Sequence, residues 1–522
     1  MPVFHLSQVA YHFECGEQLF NNISCSLINR RVGLVGRNGI GKSIFSKLIT
    51  QELSPTIGHV ALRASVGSFQ QTSQDIHKAH LTIAQFLNVE HILTALEKIQ
   101  NGCFEQQHFD VVNDQWELES TLQKELKQLN LPMDLNFPLQ KLSGGQLAIL
   151  KLWQLFNAQP ELLILDEPSN HLDKPAKSWL LNNISSFKGH VFLISHDTVL
   201  LNEMEQIWEL NTKGLTQYGG NYDFYFQQRS LEANSIEREL NNVKNQLQKL
   251  AKQSQNNKEK AEQRAAKGAK SRKSGSQAKV LLDAKKDNAT SSQSSRTKNE
   301  KLRHKQITLR DQAIKAKHEQ IFDQKIQLPT NTQSSKRLVN IINATLPFGN
   351  SEAFNLDIFS NSKVHLQGNN GSGKSTLLKV IMAKQKLQHG DITINGSVCY
   401  LDQDFSLLLE NTSLTNNVKH YCSQLNDANI RTLLAGIGFK GDSADRRVVN
   451  LSGGEKMKLA MLMVSHQAQQ PLLLLDEPDN HLDINSKRLL ANSLNAYNGA
   501  FILVSHDQTF ASHAGITQIH NL

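Results

Sequence analysis

The sequence predicts an α/β protein made of two tandem copies of one unit, with a basic antiparallel α-helical hairpin linking them. Three observations carry this. Four motifs recur in the same order in both halves of the 522 residues. Each glycine-rich loop among them follows an apolar run and opens a helical pattern. The stretch between the copies combines an apolar seam at helical spacing with the chain's net positive excess. The expected divisions are 1–222, 223–332 and 333–522.

The composition, 39% hydrophobic and 20% charged, is that of globular domains, and the length allows two or three of them. Cys15, Cys25, Cys103, Cys399 and Cys422 are widely spaced, with no C-x-x-C pair and no histidine cluster at metal spacing. This argues for a reducing compartment and against a structural zinc. The start, Met1-Pro2-Val3-Phe4-His5-Leu6, lacks the charged and apolar regions of a signal peptide, and no apolar run approaches the roughly 20 residues of a membrane helix. A cytoplasmic protein without a membrane segment is expected.

In the first copy the apolar run Arg31–Val35 leads into Gly36-Arg37-Asn38-Gly39-Ile40-Gly41-Lys42-Ser43, which recurs as Gly368-Asn369-Asn370-Gly371-Ser372-Gly373-Lys374-Ser375, followed by Thr376. Glycines here let successive backbone N–H groups turn toward phosphates at a helix N-terminus. Lys42 and Lys374 are placed to reach the terminal phosphates, and Ser43 and Ser375 to give a hydroxyl to Mg²⁺. Gln71 and Gln403, at matched offsets after short strands, can reach metal or attacking water. Leu142-Ser143-Gly144-Gly145-Gln146 recurs as Leu451-Ser452-Gly453-Gly454-Glu455. Lys42 to Lys374 is an offset of 332 and Ser143 to Ser452 one of 309, so about 23 residues are extra in the first copy between Gln71 and Ser143. They form either an accessory element or a longer loop.

The strand ending Asp166-Glu167 recurs as Asp476-Glu477. Two adjacent carboxylates at the end of a buried strand point to opposite faces and can take different tasks. Asp166 and Asp476 would hold Mg²⁺ through water; Glu167 and Glu477 would polarise the attacking water. Ser195-His196-Asp197, repeated as Ser505-His506-Asp507, is no hydrolase triad, because consecutive residues at a strand end do not converge. His196 and His506 are better placed to sense the terminal phosphate.

Between the copies, residues 229–325 carry 24 Lys and Arg against 11 Asp and Glu, an excess of 13 in a chain whose total is only +8. The remainder is mildly acidic, and the basic stretch points to a polyanionic partner. Ile236, Leu240, Val243, Leu247 and Leu250 alternate by four and three, one seam of a helix. Ile307, Ile314 and Ile321 repeat every seven on the return. The basic, Gly- and Ser-containing run from Lys267 through Lys270, Arg272 and Lys273 to Ser276 is expected at the tip or its start, with a short helix at 277–286 after it.

Phosphate loop, glutamine, Leu-Ser-Gly-Gly, Asp-Glu-Pro strand and His, in that order, resemble the ATP-binding-cassette (ABC) ATPases. Two cassettes joined by a charged helical connector, with Asn-His-Leu-Asp after each Asp-Glu-Pro and Tyr218-Gly219-Gly220-Asn221-Tyr222 at the exit of the first, resemble the ABC-F subfamily. The resemblance spans essentially the whole chain. It implies two ABC nucleotide-binding domains in a head-to-tail intramolecular pair within a monomer, with ATP and Mg²⁺ at two sites. Each site would join one cassette's loop to the other's signature: Lys42 with Ser452, Gly453 and Gly454, and Lys374 with Ser143, Gly144 and Gly145. It also implies binding to rRNA and tRNA of the ribosome near its E site, the hairpin tip reaching toward the P-site tRNA and peptidyl-transferase region, as a translation factor or an antibiotic-resistance ribosome protection protein. Lys267, Lys270, Arg272 and Lys273 would be the RNA contacts.

Ile44, Ser169 and Asp479 depart from the usual threonines without removing a catalytic group, so both sites are expected to be competent. Phe13 and Phe348 lie at about the family's distance for adenine stacking, though a core phenylalanine fits there equally. With Leu522 soon after His506, no C-terminal coiled coil is expected. The rival functions are an ATPase energising a separate membrane transporter, which leaves the basic stretch unexplained, and a DNA-structure ATPase.

Overall fold

The computed structural model describes residues 2–13, 16, 18–70, 81–170, 172–273, 336–349, 352–402, 405–439, 441–451, 453–467, 471–480 and 482–522. In its first half, short apolar runs closed by turn residues become β1 (Phe4–His12), β2 (Gln18–Ser26), β3 (Arg31–Gly36), β4 (Ile57–Leu62), β5 (Val66–Phe69), β6 (Leu162–Asp166), β7 (His190–Ile194), β8 (Gln206–Asn211) and β9 (Gly214–Gly219). A small antiparallel sheet has the order β2-β1-β4, and a six-stranded sheet the order β5-β6-β7-β3-β8-β9, in which only the β8–β9 pair is antiparallel. Strands of a parallel sheet are covered on both faces, which explains why β6 is apolar up to its last residue and wholly buried.

The second half repeats the plan with β10 (Arg337–Thr345), β11 (Phe354–Phe359), β12 (Lys363–Gln367), β13 (His389–Ile394), β14 (Val398–Leu401), β15 (Leu472–Asp476), β16 (Phe501–Val504) and β17 (Gln518–Asn521). The sheets are β11-β10-β13 and β14-β15-β16-β12-β17, the latter parallel throughout. Each half is thus an α/β cassette with its own core. In the first, Phe4, Phe192 and Trp208 meet edge to face with centroids 5.6–6.1 Å apart, the geometry that aromatic quadrupoles favour. In the second, Val364, Leu366, Leu474, Ile502 and Val504 fill the equivalent place.

Between the glutamine positions and the signatures lies a helical layer. In both copies an isolated bridge closes it, Thr82 to Pro138 and Ser413 to Arg447. The first span is 22 residues longer, so nearly all of the extra length falls here. Helices Glu90–Gln100, Gln106–Val112 and Leu118–Gln128 occupy it, against Leu414–Tyr421 and Asp427–Gly436 in the second copy. The extra length is therefore helical, with a small core of Ile92, Ala95, Leu96 and Val112.

Met1–Asp223 and Gln324–Leu522 form one unit and Phe224–Asp323 another. In the latter the helix that begins at Tyr222 runs 52 residues to Lys273, about 78 Å at 1.5 Å per residue. Ile236 and Val243, seven apart, are half-buried, while Ser235, Glu237 and Asn242 beside them are exposed. The helix continues through Gly268, so 267–273, expected at the tip or its start, is helix. Ala265, Ala266, Ala269 and the basic residues favour helix strongly enough to offset one glycine, which costs about 1 kcal/mol. The return seam at Ile307, Ile314 and Ile321 and the short helix expected at 277–286 lie outside the described residues. No helix among the described residues is long and apolar enough to cross a membrane.

Candidate functional site

β6, β7 and β3 are neighbours in one parallel sheet, so their carboxyl ends bring together Asp166 and Glu167, His196, and the loop Gly36–Ser43. β15, β16 and β12 do the same for Asp476 and Glu477, His506, and Gly368–Ser375. Ligands of open α/β sheets bind outside those strand ends.

The two loops are built alike. Gly41 and Gly373 cap the helices Lys42–Ile49 and Lys374–Ile381 in the left-handed conformation, φ 98° and 104°. A Cβ at Gly41 would sit 2.6 Å from Phe20 Cζ, and one at Gly373 2.7 Å from Leu346 Cδ1, so both the backbone twist and the space demand glycine. Lys42 Nζ donates to Gly36 O at 2.8 Å and Arg37 O at 3.2 Å, and lies 2.9 Å from His196 Nε2. Lys374 Nζ donates to Gly368 O at 2.8 Å and Asn369 O at 2.9 Å. Burial lowers the pKa of both lysines against nearby carboxylates. An ammonium group curled back onto loop carbonyls at a helix N-terminus is a cradle for an anion that can take over its hydrogen bonds.

Ser375 Oγ donates to Asp476 Oδ1 at 3.4 Å, and Ser43 hydrogen-bonds Asp166, whose carboxyl burial raises. Hydroxyl and carboxylate oxygens converging beside a phosphate cradle are the hard donor set that Mg²⁺ requires, so these residues fit that ion. Tyr400 adds a hydroxyl 3.1 Å from Asp476 Oδ2 in the second copy alone, where the first has Ser68.

Glu167 and Glu477 both have φ 49°. A non-glycine residue held there costs about 1–2 kcal/mol, and backbone bonds from Glu167 N to Ile194 O at 2.8 Å and Glu477 N to Val504 O at 2.9 Å hold them in place. Such strain, repeated in both copies, marks a functional position. Burial lifts the Glu167 carboxyl to about 7 and raises that of Glu477. His196 Nε2 is 3.6 Å from Glu167 Oε1, and His506 Nε2 is 3.5 Å from Glu477 Oε1. Burial pushes His196 well below the usual imidazole range and His506 down to about 4. Glu167 Oε1, His196 Nδ1 and His506 Nε2 are buried with no hydrogen-bond partner among the described residues. Unsatisfied buried polar atoms at the mouth of a phosphate cradle are groups awaiting a substrate.

The cassettes face each other here. Asn38 N donates to Asp483 Oδ2 at 3.4 Å. A cavity of about 450 Å³ is lined by Ser143, Gly145 and Asp173 on one side and Asn369, Asn370 and Gly371 on the other. Ser143 also caps the helix Gly144–Asn157: its Oγ accepts Gln146 N–H at 3.2 Å while Ser143 N donates to Gln146 Oε1 at 3.0 Å. This capping box aims the N-terminal end of a helix dipole at the opposing loop. Gly453 and Gly454 begin the matching helix Gly453–Ser465. Gln71, Gln403 and Ser452 lie outside the described residues, as do the side chains of Lys267, Lys270, Arg272 and Lys273. Phe13 is 37% exposed and Phe348 68%, unlike core phenylalanines.

Lys177 and Lys487 were not among the expected residues. Lys177 Nζ pairs with Asp197 Oδ2 at 3.0 Å and Lys487 Nζ with Asp507 Oδ2 at 3.3 Å. Burial works to lower Lys487, but Asp479, Asp507, Asp197 and Glu167 outweigh it and hold the ammonium above its usual value. Asp479 itself is buried where the first copy has Ser169. The signal was in the repeat, since Lys177 and Lys487 keep the 310-residue offset of His196 and His506.

A family model described as ABC transporter matches residues 20–170 and 351–480, just over half of the chain. The ribosome protection protein VmlR of Bacillus subtilis is 27% identical over 518 residues, covering 97% of this chain and 84% of VmlR. ABC transporter F family member 5 of Arabidopsis thaliana is 29% identical over 517 residues, 92% of this chain and 69% of its own length. Among solved structures, the archaeal ribosome recycling factor aABCE1, crystallised with ribosomal stalk protein aP1, superposes with a TM-score of 0.52 at 17% identity, covering 98% of this chain and 87% of that one.

Proposed function

This chain belongs to the F subfamily of the ABC ATPases, and from that premise we propose that it is a ribosome-binding ATPase of the cytoplasm, acting as a monomer on the tRNA and peptidyl-transferase region. The observation that carries this reading is the excess of 13 positive charges in residues 229–325, in a chain similar over nearly its whole length to a ribosome protection protein. Ribosomal RNA is a dense polyanion bound largely through its phosphates.

The domain divisions of this reading are 1–222 and 333–522 for the cassettes and 223–332 for the connector. Lys42 and Lys374 leave their loop carbonyls for the β- and γ-phosphates. Ser43 with Asp166, and Ser375 with Asp476, hold Mg²⁺, which when bound neutralises charge on those phosphates; Gln71 and Gln403 complete the set. Glu167 and Glu477 orient the attacking water and accept its proton, and neutral His196 and His506 hydrogen-bond the γ-phosphate. Ser143 with Gly144 and Gly145, and Ser452 with Gly453 and Gly454, close each site from the other cassette. ATP thereby favours the closed pair, and the ribosome selects it.

The test is sedimentation of the Glu167→Gln, Glu477→Gln protein with 70S ribosomes. Removing both bases should slow phosphate release by about 10²–10⁴-fold and leave ATP binding intact, so the variant should comigrate with ribosomes only with ATP. Absence from ribosomes under both conditions overturns the ribosomal reading, and unimpaired hydrolysis overturns the assignment of the bases.

A further inference from the structure

Outside the ATP sites, the Cys103 thiol, the Glu105 carboxylate and the His108 imidazole place one ligand atom each within 4.8 Å of one another. The group sits in the helical layer of the first cassette, in the span that is 22 residues longer than its counterpart. Local backbone structure fixes it. Cys103 leaves the helix Glu90–Gln100 through Gly102 at φ 88°, and its N–H donates to Lys98 O at 2.9 Å. Glu105 precedes the helix Gln106–Val112, and its carbonyl accepts His108 N–H at 3.0 Å. His108 Nε2 stands 4.0 Å from Glu105 Oε2. Cys103 and His108 are half-buried; Glu105 is exposed and free to swing.

We propose that Cys103, Glu105 and His108 bind a divalent transition metal of the Zn²⁺ class, with the remaining position open to water. Thiolate, imidazole and carboxylate are the donors such an ion takes, at about 2.0–2.3 Å each. Bonds of that length around a tetrahedron set donors roughly 3.3–3.8 Å apart, so side-chain rotations of these three residues, whose ligand atoms already lie within 4.8 Å of one another, would draw them onto the ion. The thiolate and carboxylate balance the 2+ charge, and the thiol proton is released on binding. A soft sulfur donor disfavours Mg²⁺ and Ca²⁺, which separates this site from the nucleotide cradles. The metal would clamp the two helices across their turn, where the buried apolar cluster is small, Ile92, Ala95, Leu96 and Val112 with Ile99 and Leu118 packed against it, the situation in which small elements use a staple. C-x-E-x-x-H matches no paired-cysteine spacing, so the sequence alone argues against zinc here.

Metal-free full-length protein is titrated with Zn²⁺ against a chromogenic chelator, and with Co²⁺ as a spectroscopic probe. One Zn²⁺ equivalent and a thiolate-to-cobalt charge-transfer band are expected; Cys103→Ser should lose both, and His108→Ala should weaken binding by at least about tenfold. Zn²⁺ should slow hydrogen exchange in Glu90–Gln100 and Gln106–Val112 in the wild type and not in Cys103→Ser. Unchanged ATP hydrolysis by the variants shows that they fold. A wild type without the band, or an undiminished Zn²⁺ equivalent in Cys103→Ser, overturns the site.

Discussion

In the proposed reading Glu167 accepts a proton, and its surroundings make it a better base than a surface glutamate. Burial raises the carboxyl from 4.5 to about 7, and burial pushes the histidines in the opposite direction, below the usual imidazole range. In the Glu477→Gln protein, where Glu167 is the remaining base, ATP turnover should therefore fall as pH is lowered through about 7; a stopped phosphate-release assay between about pH 5.5 and 8.5 measures it. The sign for stability is opposite. The folded state keeps this proton up to about 7 while the unfolded chain releases it near 4.5, so the contribution to folding is present at acid pH and lost as pH rises across that window. The consecutive pair Asp166-Glu167 was legible as chemistry because strand alternation alone separates its roles. The company it keeps was not. Lys487 and Asp479 reach the same cleft from some 300 residues away, and only the packing of two cassettes decides which charges meet.

At the scale of elements, the Ser143 hydroxyl caps a helix while the residue also lines the cavity that faces Asn369–Gly371, and the proposed reading uses it at both. The two uses can be separated. Ser143→Ala removes the cap and should cost about 1 kcal/mol, read as a lower thermal midpoint. Ser143→Asp keeps a cap and places a negative charge opposite the loop Asn369–Gly371, so it should retain the thermal midpoint while losing most ATP turnover. If both variants lose turnover only in proportion to stability, the serine is a cap alone. Apolar strands, phosphate loops and the long helix itself were legible from periodicity and glycine spacing. The helical filling of the extra span in the first cassette was only half legible, because apolar spacing such as Ile92, Ala95, Leu96 and Ile99 marks a helix-like run without deciding whether such runs pack into a layer. The continuation of helix through Gly268 to Lys273 was hidden by a composition that looks like a turn.

Across the whole chain, the positive excess is concentrated in the connector, while residues 1–228 carry 16 Lys and Arg against 22 Asp and Glu and residues 326–522 carry 16 against 15; in the proposed reading this separates the chemistry of hydrolysis from the recognition of a polyanion. Replacing Lys267, Lys270, Arg272 and Lys273 with alanine should leave ATP hydrolysis in the absence of ribosomes unchanged. It should also flatten the dependence of log affinity on log salt for ribosomes by roughly 0.7–0.9 for every phosphate that the side chains no longer neutralise. Sedimentation across a salt series reads the slope, and an unaltered slope would reduce these four residues to a solvated surface. The 52-residue helix beginning at Tyr222 adds a mechanical consequence. A rod of about 78 Å turns angle into distance: a tilt of about five degrees at its root sweeps its far end through roughly 7 Å, about the length of two residues of extended chain. Gain of that kind comes from length, so shortening the rod by whole heptads would scale the stroke down while keeping each cassette's chemistry intact.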